Sequence, residues 1–204
     1  VGGALTDALT PSDTTPLDRD EAEGLIPSWV ATRADLNAAE ASGIATGRAW
    51  ALGLHLAPEA ICESAFLLEL HRRLFASVWT WAGKYRRFDK NIGVDWHYVG
   101  AFVEEVLADC GAWMADTSPK RMSDDEIAVR LHHRLVVVHS FPNGNDRHAR
   151  TVADLLAGSL DLPMFSWGGR GNLANPGGAR SAYIAALVAA DNGNLAPLVD
   201  FARS

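Results

Sequence analysis

Sulfur is scarce in this chain: 204 residues carry two cysteines, Cys62 and Cys110, and three methionines. Both cysteines sit in helix-like surroundings, so they read as buried thiols, in keeping with a reducing cytosol. Positive charge is also short, with 18 Lys and Arg against 25 Asp and Glu and a net charge of -7. That balance argues against general binding to nucleic acid or to a membrane surface. No apolar run is long enough to span a membrane, and the first residues lack the basic and apolar parts of a secretory signal. The expected compartment is the cytoplasm. No repeat or low-complexity tract is present. Metal-type clusters are missing too: His132-His133 has no second ligand pair at metal spacing, so packing and surface roles are expected.

Apolar content is ample: 48 % of residues are hydrophobic, enough for one domain with a sizeable core. Residues 1–20 are Thr-, Pro- and Asp-rich and read as an irregular leader, with a single domain over 21–204. Helices are expected over Thr32–Leu56 (weakened by Gly43 and Gly47), Ser64–Phe75 and Val99–Ala115, with two closing helices over Ala179–Asp191 and Leu195–Arg203. Ser123 and Glu126 form a capping box before Ile127, Leu131, Leu135 and Val138, which recur at helical spacing. Tyr85 to Tyr98 mixes short apolar pieces with Arg86, Arg87, Asp89, Lys90, Asn91, Gly93 and Asp95. It reads as a β-hairpin or extended flap.

Chemistry concentrates in His139-Ser140-Phe141-Pro142-Asn143-Gly144-Asn145-Asp146-Arg147-His148-Ala149-Arg150. His139 ends the capped helix, where the carbonyl end of the dipole favours a more basic imidazole. Pro142, Asn143 and Gly144 break the helix, and Ala149, Val152, Ala153, Leu155 and Leu156 start another. The turn thus delivers free N–H groups at a helix N-terminus, with Arg147 and Arg150 on its first turn. Arginine's planar fork suits phosphate oxygens. His148 is expected to face solvent.

This string resembles the signature of Fic-domain proteins, H-x-F-x-[D/E]-G-N-[G/K]-R-x-x-R. His139, Phe141, Gly144, Asn145, Arg147 and Arg150 match it; Asn143 and Asp146 depart. Val78-Trp79-Thr80-Trp81-Ala82-Gly83-Lys84-Tyr85-Arg86 resembles the element leading into the Fic flap. Tyr183-Ile184-Ala185-Ala186-Leu187, with Asp191 and Pro197-Leu198, resembles the segment closing the nucleotide pocket. From Leu25 to Arg203 the chain is similar to a bacterial subfamily called mobile mystery protein B.

The resemblance implies a mainly α, Fic-type helical bundle with a short β-hairpin flap beside the active-site loop. It implies transfer of AMP, or another NMP, from ATP or another NTP to a Ser, Thr or Tyr hydroxyl of a target protein. His139 would be the general base, and Phe141 the anchor of the loop. Gly144, Asn145, Asp146, Arg147 and Arg150 would line the phosphates. Asn143 stands where a carboxylate usually ligates Mg²⁺ or Mn²⁺ and offers a weaker, neutral oxygen. Asp146 brings negative charge to the phosphate loop, or restores the missing metal carboxylate from a nearby position. Phe88, Asn91 and Ile92 would contact the target by strand addition. Tyr183, Ile184 and Asp191 would face the base, and the loop from Leu162 to Gly178 would rim it.

Family members restrained by an inhibitory helix carry [S/T]-x-x-x-E-[G/N]. The nearest piece here is Leu36-Asn37-Ala38-Ala39-Glu40-Ala41, whose Glu40 is the candidate to approach Arg150, against the plainer expectation of a solvated helix-face Glu. A small helix-turn-helix regulator is the partner the subfamily implies. Two other classes stay open: phosphate transfer of the Doc toxin type, and a non-catalytic nucleotide-binding or protein-interaction module.

Overall fold

In the computed structural model the described residues are 24–169, 173 and 177–204. The expected leader therefore lies outside the described residues. Eight α-helices stand among the described residues: α1 (Arg33–Gly53), α2 (Pro58–Ile61), α3 (Ser64–Phe75), α4 (Val99–Ala115), α5 (Asp124–Val138), α6 (Asn145–Ser159), α7 (Gly178–Asp191) and α8 (Ala196–Arg203). A 3₁₀ turn over Trp96–Tyr98 leads into α4. No helix among them is long and apolar enough to cross a membrane.

Local chemistry sets the helix starts. Thr32 caps α1 by accepting from the Asp35 amide at 3.2 Å, while the Asp35 carboxylate accepts from the Thr32 amide at 3.0 Å. Ser123 and Glu126 make the same reciprocal box on α5. Each box satisfies amides that the first helical turn leaves without partners.

The core forms where α5 and α6 pack along most of their length. Ile127, Leu131 and Leu135 of α5 and Val152, Ala153 and Leu156 of α6 are all buried in this core. Helix α4 packs against α5, and α7 packs on α8, which also touches α5. Helix α1 lies across α3, and its glycines explain how closely. A Cβ on Gly43 would stand 2.7 Å from the Leu74 carbonyl oxygen, and one on Gly47 would stand 2.9 Å from that of Arg73. The glycines that weaken the middle of α1 in isolation are the surface on which it docks. This docking aims Glu40 into the molecule.

The flap departs from expectation. No strand occurs among the described residues; an isolated antiparallel bridge joins Leu25 and Trp79, outside the flap at residues 85–98. The physical reason is where the flap's backbone groups go. The Phe88 and Val94 carbonyls accept from the Arg86 guanidinium, and the Val94 amide donates to the Val138 carbonyl at 3.3 Å. Lys90 reaches across to the Pro142 carbonyl at 2.7 Å. The segment wraps around a side chain and the motif loop, so it has no ladder of its own.

Candidate functional site

The site stands between the end of α5 and the start of α6. His139 terminates α5 in a left-handed conformation, with φ 53° and ψ 59°. Gly144 opens α6 at φ 78°, and a Cβ there would lie 2.6 Å from the Phe75 ring. Glycine is required at 144 on both counts.

Four side chains build the loop between them. The Asn145 side chain accepts from the Phe141 amide at 2.8 Å and donates to the Phe141 carbonyl at 2.7 Å. Phe141 is 2 % exposed and stacks on His71, with ring centroids 3.7 Å apart. His71 Nδ1 accepts from the Gly83 amide at 3.0 Å, so its Nε2 carries the proton and donates to the Asn143 carbonyl at 3.1 Å. His148 packs edge-on against Phe141, and its Nε2 donates to the Leu67 carbonyl at 2.9 Å.

His148 thus corrects the expectation of a solvent-facing residue: it is 2 % exposed. The signal was available, since 148, 152 and 156 share one face of a helix, and that face is apolar. Burial lowers His148 to about 4, and holds His71 well below the usual imidazole range.

His139 is lowered to about 3, by burial first and then by the charges of Lys90 and Arg86. The helix-end argument predicted the opposite direction; two nearby cations and desolvation outweigh the dipole. The imidazole is neutral at neutral pH, the form that accepts a proton.

The two motif arginines are both occupied. Arg147 forms an ion pair with Glu40, whose carboxylate is fully buried and also accepts from Trp79 Nε1 at 2.7 Å. Arg150 pairs with Asp146 at 2.8 Å. This corrects the sequence expectation in its partner: Glu40 meets Arg147, not Arg150, and it is not a solvated residue. Asp146 also accepts the Tyr183 hydroxyl proton, so the His132 Nε2, 2.9 Å from that hydroxyl, must be the donor to it. The outcome is a chain of four side chains: His132, Tyr183, Asp146 and Arg150. Burial alone would raise the Asp146 carboxyl, yet Arg150 and the Tyr183 hydroxyl together hold it below its ordinary value.

The metal expectation fares poorly on geometry. The Asn143 side-chain oxygen accepts from the Gly144 amide at 2.6 Å, and both Asp146 oxygens are engaged by Arg150 and Tyr183. Asp146 therefore does not restore a metal carboxylate, and the described residues contain no cluster of three acidic, His or Cys groups. The residues present do not fit a protein-held cation.

Of the remaining candidates, Asn91 is exposed on the flap while Phe88 and Ile92 are half-buried. Tyr183 and Ile184 are buried on α7, and Asp191 lies at its far end, accepting from His133 Nε2 at 2.8 Å. The described part of the 162–178 loop is fastened to α8: the Ser166 and Trp167 amides donate to the Ala202 carbonyl. Residues 170–172 and 174–176 of it lie outside the described residues. Sequence reasoning missed His71, His132 and Arg86 as builders of the site. Their key partners lie on other elements, the Asn143 carbonyl for His71, the Tyr183 hydroxyl for His132 and the His139 carbonyl for Arg86, which no local pattern encodes.

A neutral imidazole ending one helix, joined by a Gly-Asn turn to two arginines on the next, defines the helical class to which this fold belongs. Residues 61–157 match the model of the Fic/DOC family, and the chain carries a Fic domain. It is 32 % identical over 136 residues to protein adenylyltransferase fic-1 of Caenorhabditis briggsae, and 30 % to that of Caenorhabditis elegans. Those stretches cover 66 % of this chain but 25 % of either relative, so the chain spans about a quarter of their length. Among solved structures, Fic-1 from C. elegans superposes with a TM-score of 0.63 at 24 % identity, over 99 % of this chain and 57 % of that one. BepC from Bartonella tribocorum, solved with bound AMPPNP, gives 0.60 at 15 % identity, over 97 % and 95 %. Both likenesses concern the fold.

Proposed function

We propose that this chain is a protein nucleotidyltransferase that moves AMP, or another NMP, from a nucleoside triphosphate to a Ser, Thr or Tyr hydroxyl of a target protein. The observation that carries the reading is the pairing of a neutral His139 with the open end of α6 and its two arginines. A hydroxyl delivered beside His139 gives up its proton to the imidazole as its oxygen bonds to the α-phosphorus. The bond from that phosphorus to the bridging oxygen breaks, and pyrophosphate leaves. Amides at the α6 N-terminus, with Arg147 and Arg150, stabilise the phosphate charge. This is catalysis by positioning and electrostatics. The names of the fic-1 relatives and the AMPPNP bound to BepC support the same donor chemistry.

In its resting arrangement the site is restrained by its own carboxylates. Glu40 and Asp146 occupy the arginines that a triphosphate needs, so nucleotide entry requires both pairs to open. The placing in the mobile mystery protein B subfamily, the flap contacts of Phe88, Asn91 and Ile92, the base contacts of Tyr183 and Ile184, and a helix-turn-helix regulator belong to this proposal. They rest on the sequence resemblance.

The test is labelling with α-³²P or γ-³²P ATP, with Mg²⁺ or Mn²⁺ supplied as counter-ion, beside the His139→Ala variant. Label from the α-position that disappears with His139→Ala is the expected result. Label from the γ-position would establish phosphate transfer instead, and no His139-dependent label would leave a binding module.

A further inference from the structure

Outside the motif, one buried cation touches both halves of the site. The Arg86 side chain is 0 % exposed, yet the carboxylate paired with it, Asp89, is 3.7 Å away and 66 % exposed. Carbonyl oxygens meet its charge instead. Arg86 Nε donates to the His139 carbonyl at 2.7 Å, Nη1 to that of Phe88 at 2.8 Å, and Nη2 to those of Val94 and Val138. Two of these acceptors end α5, where the helix presents its negative pole. The other two bracket the flap. The Arg86 amide adds a third tie to the loop, donating to the Ser140 carbonyl at 3.0 Å.

A guanidinium is a rigid, planar fork, so it satisfies both sets of carbonyls only when they stand in one mutual register. We infer that Arg86 is a positioning residue that registers the flap against the general base, so that a hydroxyl laid along the flap arrives at His139. The inference rests on the reading of His139 as the base. Lysine could carry the charge but not the geometry, since its single ammonium cannot span four carbonyls. The charge has a second effect. Burial opposes protonation of His139 most, Lys90 and then Arg86 on the flap add to it, and a Val136 backbone hydrogen bond and Asp146 on α6 act the other way.

The test uses the full chain with Arg86→Lys and Arg86→Gln. In both, exchange of the Val94 amide, which bonds to Val138, should quicken about tenfold as the flap leaves its register. ATP affinity should stay within about twofold of the parent, while the rate of His139-dependent autolabelling from α-³²P ATP falls about tenfold or more. By NMR titration, Arg86→Gln should raise the His139 midpoint by about one pH unit, since a charge that opposes protonation is gone. Unchanged Val94 protection in a folded variant would overturn the inference. So would ATP affinity falling in step with labelling, or a failure of Arg86→Lys to fold, either of which makes Arg86 a residue of general stability. A parent chain that does not label defeats the proposed function alone, because exchange and titration still decide the role of Arg86.

Discussion

At the scale of single residues, the two departures from the family signature sort differently. Asn143 turns inward to cap its own loop, whereas Asp146 takes a partner that phosphate would otherwise claim. Replacing Asp146 with Asn should free Arg150 and tighten ATP binding about fivefold, roughly 1 kcal/mol, measured by calorimetry. Unchanged binding would mean that Arg150 does not meet phosphate. The sequence displayed Glu40 as a candidate restraint but pointed it at the wrong arginine. Spacing along α1 cannot say which of two side chains on α6 it will reach. That choice depends on the angle at which Gly43 and Gly47 let α1 lie on α3, a property of packing.

At the scale of elements, what was legible is what is local. The expected ranges Ser64–Phe75 and Val99–Ala115 agree with α3 and α4, and the Ser123 cap agrees with the start of α5, because caps and apolar periodicity act within a few residues. The flap was not legible, because its carbonyls answer to Arg86 and its Val94 amide to a carbonyl 44 positions onward in the chain. Two substitutions separate these regimes. Ser123→Ala should cost about 1 kcal/mol of stability in urea denaturation and leave ATP binding intact, since it only exposes helix-end amides. Gly144→Ala should cost about 2 kcal/mol or more and also weaken ATP binding, because it strains the left-handed turn and pushes on Phe75. Equal effects on ATP binding from both would contradict the assignment of the turn.

At the scale of the whole molecule, four histidines lie neutral in or beside the site, and each is held below the ordinary imidazole value of 6.5 mainly by burial. For His148 the folded group titrates near 4, so between there and 6.5 the unfolded chain binds more protons. Stability is therefore complete above about pH 6.5 and declines as the pH falls toward 4, with His148 alone worth roughly 3 kcal/mol. Urea midpoints measured across that window should fall, and the fall should be shallower in His148→Gln. A midpoint flat from pH 6.5 down to 4 would show that these rings are not buried neutral. Sequence alone singled out His139 in the motif yet missed that His71, His132 and His148 are buried, because tertiary burial of a histidine leaves little trace in composition.

The central claim is a Fic-type site closed by its own carboxylates, and the most direct measurement of it is the rate of α-³²P AMP transfer by Glu40→Gln beside the parent chain and Glu40→Gln/His139→Ala. Glutamine keeps an oxygen for the Trp79 N–H while removing the charge that occupies Arg147. Faster labelling by Glu40→Gln, by about tenfold, lost again when His139 is also replaced, is the result this account predicts. Labelling no faster than the parent, in a variant that folds, would contradict it.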